Sequence, residues 1–328
     1  MMMLWDGIAS RAFGLGGGGN TDTVEPAPAV RPVQRRPKLG LALGGGAARG
    51  WAHLGVLQVL TENGIKPDVI AGTSIGAMVG GCYAAGKLNV LEDFALSLNR
   101  RRMIGLMDFH IGAGLISGRR LQRLLESDIG LARIQDLPIK FVAIATEMAS
   151  GHEIWLTEGA MIEAMRASYA LPGVFDPVKL GGRWLMDGAL VNPVPVTAAR
   201  ALGADVVMCV NLNGESGGRG TTIQSHVADP DPEVWSPGAV AARNWLSPMR
   251  EAAGRLRRGR GEPGCASPGM MNVMVDVFNI TQDRIARSRL AGDPPDVMVS
   301  PKLARIGLFE FHRAEEAIDL GRAAAARA

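Results

Sequence analysis

From Lys38 onward, apolar residues come in short unbroken runs that alternate with longer stretches of helical spacing. LGLAL (39–43) reads as a buried strand, a glycine-rich turn follows, and AHLGVLQVLTENG (52–64) reads as a helix stopped by Gly64. The form repeats at once: DVIAGTS (68–74) is a short apolar strand, the chain turns sharply at Ser74, and IGAMVGGCYAAG (75–86) is a helix of small residues. Consecutive strand, turn and helix units predict parallel pairing, because parallel strands need a crossover. IKFVAIATEM (139–148) and ADVVMCVNL (204–212) are apolar along their whole length, as expected of strands covered on both faces. GLISGRRLQRLLES (114–127), capped by Ser117, and EGAMIEAMRAS (158–168) have helical periodicity; DVMVSP (296–301) reads as a last strand and FHRAEEAIDLGRAAAA (311–326) as a closing helix. The predicted class is α/β, with a mainly parallel central sheet flanked by helices.

The remaining stretches set the domain plan. Residues 1–37 carry the tract Gly16 to Gly19 and then Pro26, Pro28, Pro32 and Pro37, too little apolar surface to offset ordering entropy, and read as a disordered arm. Leu4, Trp5, Ile8 and Phe13 leave room for one weak amphipathic helix at its start, against the plainer reading of a frayed end. Residues 38–212 hold the regular pattern and form the expected catalytic domain. Residues 213–269 are an insertion: polar from Gly214 to Pro237, then basic and amphipathic from Gly238 to Arg260. In that second part Val240, Trp245, Leu246, Met249, Ala253 and Leu256 fall near one helical face and arginines fill the rest. A lid, an interfacial anchor and an ordinary solvated face all fit it. Residues 270–328, opening on the helix 270–290, complete the domain.

Composition narrows the function classes. A formal charge of +3 over 328 residues does not suit a dedicated nucleic-acid binder. Cys82, Cys209 and Cys265 are odd in number and without ligand spacing, which favours a reducing compartment. No run reaches the roughly 18 to 20 apolar residues of a membrane span, and Asp6 and Gly7 stand where a signal peptide needs an apolar core. The expectation is a soluble, cytoplasmic chain. Arg100 to Arg102 and the cluster Arg255 to Arg260 add peripheral contact with an anionic inner membrane face, or simply solubility. With no calcium-loop pattern and no zinc spacing, no metal and no cofactor are expected.

Three motifs carry candidate chemistry. Gly72-Thr73-Ser74-Ile75-Gly76 is a G-x-S-x-G between a strand and a helix, where glycines make room for a tight reversal that projects the serine hydroxyl. Gly44-Gly45-Gly46-Ala47-Ala48-Arg49-Gly50 also joins strand to helix, and its sparse side chains let backbone N–H groups converge on an anion. It lacks the third glycine of a dinucleotide fingerprint and the Gly-Lys-Ser/Thr of a P-loop, so an oxyanion hole is the better reading, beside a plain structural turn. Arg49 either supports this loop or is a surface arginine. Asp187-Gly188 follows an apolar strand-like run; an aspartate there is a desolvated base or an ordinary turn residue.

With GGGAARG leading into WAHLGVL, then GTSIGA, SYALPGVFDPV (168–178) and DGALVNPVP (187–195), the chain resembles the bacterial branch of the patatin-like phospholipases over about residues 38–212. The resemblance implies a three-layer α/β/α fold and hydrolysis of a lipid ester by a Ser74–Asp187 dyad without histidine. It further implies an oxyanion hole at Gly45, Gly46 and Ala47, loop support from Arg49 and Gly50, and an elbow flanked by Gly72 and Gly76. Ala47 stands where many members have glycine and can still donate if its φ is negative. Pro193 replaces the second asparagine of the common V-N-N-x-P run.

Two rivals remain. Ser74, Asp187 and His312 follow the order of a Ser-Asp-His esterase, although His312 lies in a helix-like segment; His53 reads as a structural histidine and His152 is a further candidate. The other rival is a catalytically silent membrane-surface regulator working through residues 238–260.

Overall fold

The computed structural model describes residues 35–99, 101–102, 114–116, 122–123, 125–127, 130, 132–214 and 270–328. The chain divides into two compact units, Met1–Arg36 and Pro37–Ala328, and the elements below belong to the second. The arm up to residue 34, Cys265, Arg100 and the stretch 215–269 with its basic amphipathic segment lie outside the described residues.

The strands are β1 (Leu39–Leu43), β2 (Val69–Thr73), β3 (Gly114–Ile116), β4 (Lys140–Glu147), β5 (Glu153–Leu156), β6 (Gly173–Phe175), β7 (Val178–Leu180), β8 (Arg183–Asp187), β9 (Val206–Val210) and β10 (Val297–Val299). The helices are α1 (Ala52–Glu62), α2 (Ile75–Ala84), α3 (Leu88–Ser97), α4 (Met161–Ser168), α5 (Val196–Ala201), α6 (Met270–Gly292) and α7 (Ala314–Ala325). The main sheet runs β10-β9-β1-β2-β4-β8-β7, with β5 also on β4. Strands β10 through β4 are parallel, whereas β5, β8 and β7 join antiparallel, so the expected mainly parallel sheet is mixed at one end.

Strand alternation sorts the side chains into two layers. Leu41, Leu43, Ile70, Phe141 and Ala143 face the core built with α1, α2, α3 and α7. Their neighbours Ala42, Ala71, Val142 and Ile144 face the opposite core, with Val196, Ala198 and Ala199 of α5 and Ala286 of α6. Helices on both faces give the three-layer arrangement, which is why these strands are apolar throughout. Among the described residues, no helix is long and apolar enough to cross a membrane.

The expected helical stretch 114–127 is corrected at its start: Gly114–Ile116 is the strand β3, parallel to β6, while residues 122–123 and 125–127 are helical and the cap expected at Ser117 lies outside the described residues. A short apolar run does not distinguish strand from helix by period, and the free edge of β6 supplies partners that an isolated helix turn would lack.

Close packing of α1 on α7 depends on two glycines facing each other's backbones. A Cβ at Gly55 would fall 2.0 Å from the Ile318 carbonyl oxygen, and one at Gly321 would fall 2.0 Å from that of Ala52. Gly55→Ala is therefore expected to force the helices apart and to destabilise the fold by about 1–3 kcal/mol, read as a lower urea midpoint at unchanged slope.

Candidate active site

The site begins at an interruption in the hydrogen-bond ladder of β4. Strand β2 pairs with β4 up to Thr73 opposite Ile144, and β8 pairs from Asp187 opposite Ala145. Because β5 occupies Ala143 to Thr146, overlapping both registers, β2 and β8 must share the other edge of β4. The two strands run toward each other along the same line, so the residue after Thr73 meets Asp187 end to end. Carbonyls around this junction are satisfied by hydroxyls: Ser168 Oγ donates to Ile144 O, Thr146 Oγ1 to Asp187 O at 2.8 Å and Thr73 Oγ1 to Asn192 O at 2.7 Å. An unpaired buried carbonyl costs about 1–3 kcal/mol, so these hydroxyls hold the break in shape.

Ser74 occupies the turn itself. Its backbone is left-handed, at φ 56 and ψ −124, a strained state for a residue with a Cβ. The turn is tight because α2 begins directly: Ala77 N–H donates to Ser74 O at 2.9 Å. A Cβ at Gly72 would fall 2.5 Å from Ala77 Cα, and one at Gly76 2.2 Å from Leu43 O, which explains both elbow glycines by space. Ser74 N–H donates to Ser168 Oγ at 2.9 Å. The Ser74 side chain is thereby aimed at Asp187, and Oγ donates to Oδ2 at 2.7 Å. The other carboxylate oxygen, Oδ1, accepts from Ala189 N–H at 2.8 Å.

Asp187 is 1% exposed and Ser74 7%. Burial pushes the Asp187 carboxyl up to about 7, against the opposing pull of the Ala189 N–H and the Ser74 hydroxyl. A carboxylate so poised takes a proton far more readily at neutral pH than a solvated aspartate. No imidazole intervenes between Ser74 and Asp187. His53 is fully buried and its Nε2 lies 2.8 Å from Gly44 O; burial lowers its pKa to about 4, and it supports the glycine loop. His152 is exposed beside Glu147, and His312 lies on the short turn Phe311–Arg313.

The glycine loop differs from expectation at two donors. Gly45 N–H donates to Pro193 O at 2.9 Å, so it is engaged and not free for an oxyanion. Gly46 and Ala47 open a helical turn, Ala47–Trp51, where no preceding carbonyl is in place for their N–H groups. Ala47 has φ 48 and not the negative value expected, a conformation that suits glycine and costs alanine roughly 1–2 kcal/mol. Pro193 contributes its carbonyl to the loop in place of any side-chain contact. Arg49 Nε donates to Ile306 O at 2.8 Å and a terminal nitrogen to Asn213 Oδ1 at 3.2 Å, which ties the loop down. Gly50 is buried under Ile75, whose side chain a Cβ there would meet at 2.2 Å.

Three contributors carry no role in the sequence reading. Ser168 sits inside the SYALPGVF run but only its contacts reveal its work. Asn192, in DGALVNPVP, donates from Nδ2 to Glu153 Oε1 at 2.8 Å, and Glu153 Oε2 pairs with Arg289 of α6 at 2.9 Å. Gln282 of α6 is buried close to Ser74 and Gly45. Among the described residues, no group of three or more His, Cys, Asp or Glu side chains is arranged to hold a metal.

The raised Asp187 pKa has a stability consequence. The folded state holds this proton to higher pH than the unfolded chain, so stability falls as pH rises from about 4 through about 7. Asp187→Asn removes the buried charge while keeping an acceptor for Ala189 N–H. It is expected to unfold at a higher denaturant concentration than the wild type at pH 8, with the difference vanishing near pH 4.

A sequence profile described as patatin-like phospholipase matches residues 41–200. An uncharacterized NTE family protein of Mycobacterium tuberculosis (strain ATCC 25618 / H37Rv) is 34% identical over 342 aligned positions, covering 92% of this chain and 95% of that protein. Lysophospholipase NTE1 of Pyricularia oryzae is 26% identical over 290 positions, which cover 86% of this chain but 18% of the fungal protein. Among solved structures, VipD from Legionella pneumophila is similar over 89% of this chain and 66% of its own, with a TM-score of 0.46 and 14% identity. The chain belongs to the patatin-like phospholipase family.

Proposed function

We propose that the protein is a lipid acyl hydrolase in which Ser74 is the nucleophile and Asp187 its base, working through an acyl-enzyme. The observation that carries this reading is the direct hydrogen bond of 2.7 Å from Ser74 Oγ to Asp187 Oδ2 inside a buried elbow. The family supports a lipid ester as substrate, and a fungal relative named as a lysophospholipase supports the same class.

In this mechanism Ser74 Oγ attacks the ester carbonyl carbon as its proton passes to Asp187 Oδ2. Asp187 Oδ1 stays fixed on Ala189 N–H, so the carboxylate does not rotate during the transfer. The oxyanion is received by the N–H of Gly46, with the N-terminus of α2 favouring the developing charge, while the positive φ of Ala47 fails the condition for its N–H to serve as a second donor. Asp187 then gives the proton to the departing alcohol oxygen. A water attacks the acyl-enzyme by the same route, releasing the fatty acid and restoring Ser74. No metal or cofactor enters these steps. Val273, Val277 and Ile280 form an exposed apolar row on α6, which suits a substrate drawn from a lipid surface and supports peripheral membrane contact at the cytoplasmic face.

Hydrolysis of a panel of phospholipids, lysophospholipids and neutral esters, with product identification, tests the assignment. Ser74→Ala is expected to abolish turnover and Asp187→Asn to lower kcat on the order of 10²–10⁴. His312→Ala is expected to keep most activity, and a chelator to leave it unchanged. Loss of activity in His312→Ala would sink the dyad in favour of a Ser-Asp-His esterase, and retention in Asp187→Asn would remove Asp187 as the base.

A further inference from the structure

Helix α6 carries one row of side chains at four-residue spacing, in which Met274 stays exposed at the start while Phe278, Gln282, Ala286 and Leu290 turn inward. Met274 packs on the bare face of Gly173, Phe278 on Leu171 and Val174, and Ala286 and Leu290 on the core beneath the sheet. Gln282 is the polar member of that row. It is 2% exposed, and its Oε1 has no hydrogen-bond partner among the described residues. An apolar residue would pack here without leaving a buried acceptor unpaired, so the row alone does not account for glutamine.

The position of the amide does. A Cβ placed on Gly45 would lie 3.5 Å from Ser74 Cβ, 3.3 Å from Ala189 Cβ and 3.6 Å from Gln282 Oε1. The amide oxygen, the nucleophile and the residue that holds Asp187 Oδ1 therefore gather around the side-chain-free face of Gly45. Two further contacts set α6 at this depth: Arg289 pairs with Glu153, which in turn holds Asn192 of the loop after Asp187.

We propose that Gln282 orients the water that hydrolyses the acyl-enzyme, an inference that rests on the acyl-enzyme reading above. Once Ser74 Oγ is esterified, it no longer donates to Asp187 Oδ2. The attacking water gives one hydrogen to Oδ2 and directs the other at Gln282 Oε1, which leaves a lone pair facing the acyl carbon. As the new C–O bond forms, the first proton moves to Asp187. The C–Oγ bond then breaks, Asp187 returns that proton to Ser74 Oγ, and the hydrogen held by Gln282 leaves on the carboxylic acid. The unpaired amide oxygen of the resting protein is thus an acceptor kept for the second half-reaction.

Gln282→Met keeps the length of the side chain and removes the acceptor, and it completes an apolar row, so it is expected to fold at least as stably as the wild type. Two measurements on the full chain test the role. The rate at which a fluorophosphonate probe labels Ser74, which reports the first half-reaction, is expected to match the wild type within about twofold. Steady-state ester hydrolysis is expected to fall on the order of tenfold to a hundredfold, with acyl-enzyme on Ser74 accumulating in intact-protein mass spectra. Unchanged hydrolysis, or a fall matched by slower labelling without accumulation, would overturn the assignment of Gln282. Absence of Ser74 labelling in the wild type would instead remove the acyl-enzyme reading and this inference with it.

Discussion

The edge of β4 is shared by two strands that run toward each other, and the positions of Ser74 and Asp187, the proposed nucleophile and base, follow from it. A parallel strand and an antiparallel strand cannot both continue along one edge, so the ladder must break where they meet, between Ile144 and Ala145. At that break β2 has to turn away into α2 and β8 has to turn into the loop that holds Asn192. The last side chains before each turn then face one another, which is how Ser74 and Asp187, 113 residues apart, come to share a hydrogen bond. A break in a sheet leaves backbone groups unpaired, and the hydroxyls of Thr73, Thr146 and Ser168 take them up. Stability and chemistry are set by the same few bonds.

The arrangement has a cost that serves its purpose. A carboxyl removed from water resists ionisation, and two hydrogen bonds recover only part of the loss, so Asp187 titrates near neutrality. Placing the same side chain in solvent would stabilise its charge and make it a poor base. Positive φ at Ser74 and Ala47 adds backbone strain on both sides of the reacting space. Such strain persists because the three-layer core beneath is apolar and close-packed, and because Arg49, His53 and Pro193 hold the glycine loop from outside.

Much of this was legible in the chain. Buried strands announce themselves as unbroken apolar runs, and LGLAL matches β1 residue for residue. Gly72 and Gly76 signalled a tight elbow because steric demand acts on composition directly. Other features act through partners distant in sequence, and these left no local mark. That Gly45 N–H is spent on Pro193 depends on where two loops meet. Ala47 adopts φ 48 because of the turn it opens, and alanine gives no warning of it. The helical spacing of α6 was visible, but its inward row was not, since Val273, Met274, Val277 and Ile280 compete with Phe278 for the role until the sheet is in place. β3 was lost to a helix because three residues contain too little period to decide.

The central claim is that Ser74 is activated directly by a buried aspartate. The pH dependence of covalent labelling by a fluorophosphonate probe, with the modified residue identified by peptide mass spectrometry, tests it most directly. The account predicts labelling confined to Ser74, with a rate that rises through a single ionisation near pH 7 and is lost in Asp187→Asn. Labelling at another residue, or a Ser74 rate that persists unchanged in Asp187→Asn, would contradict it.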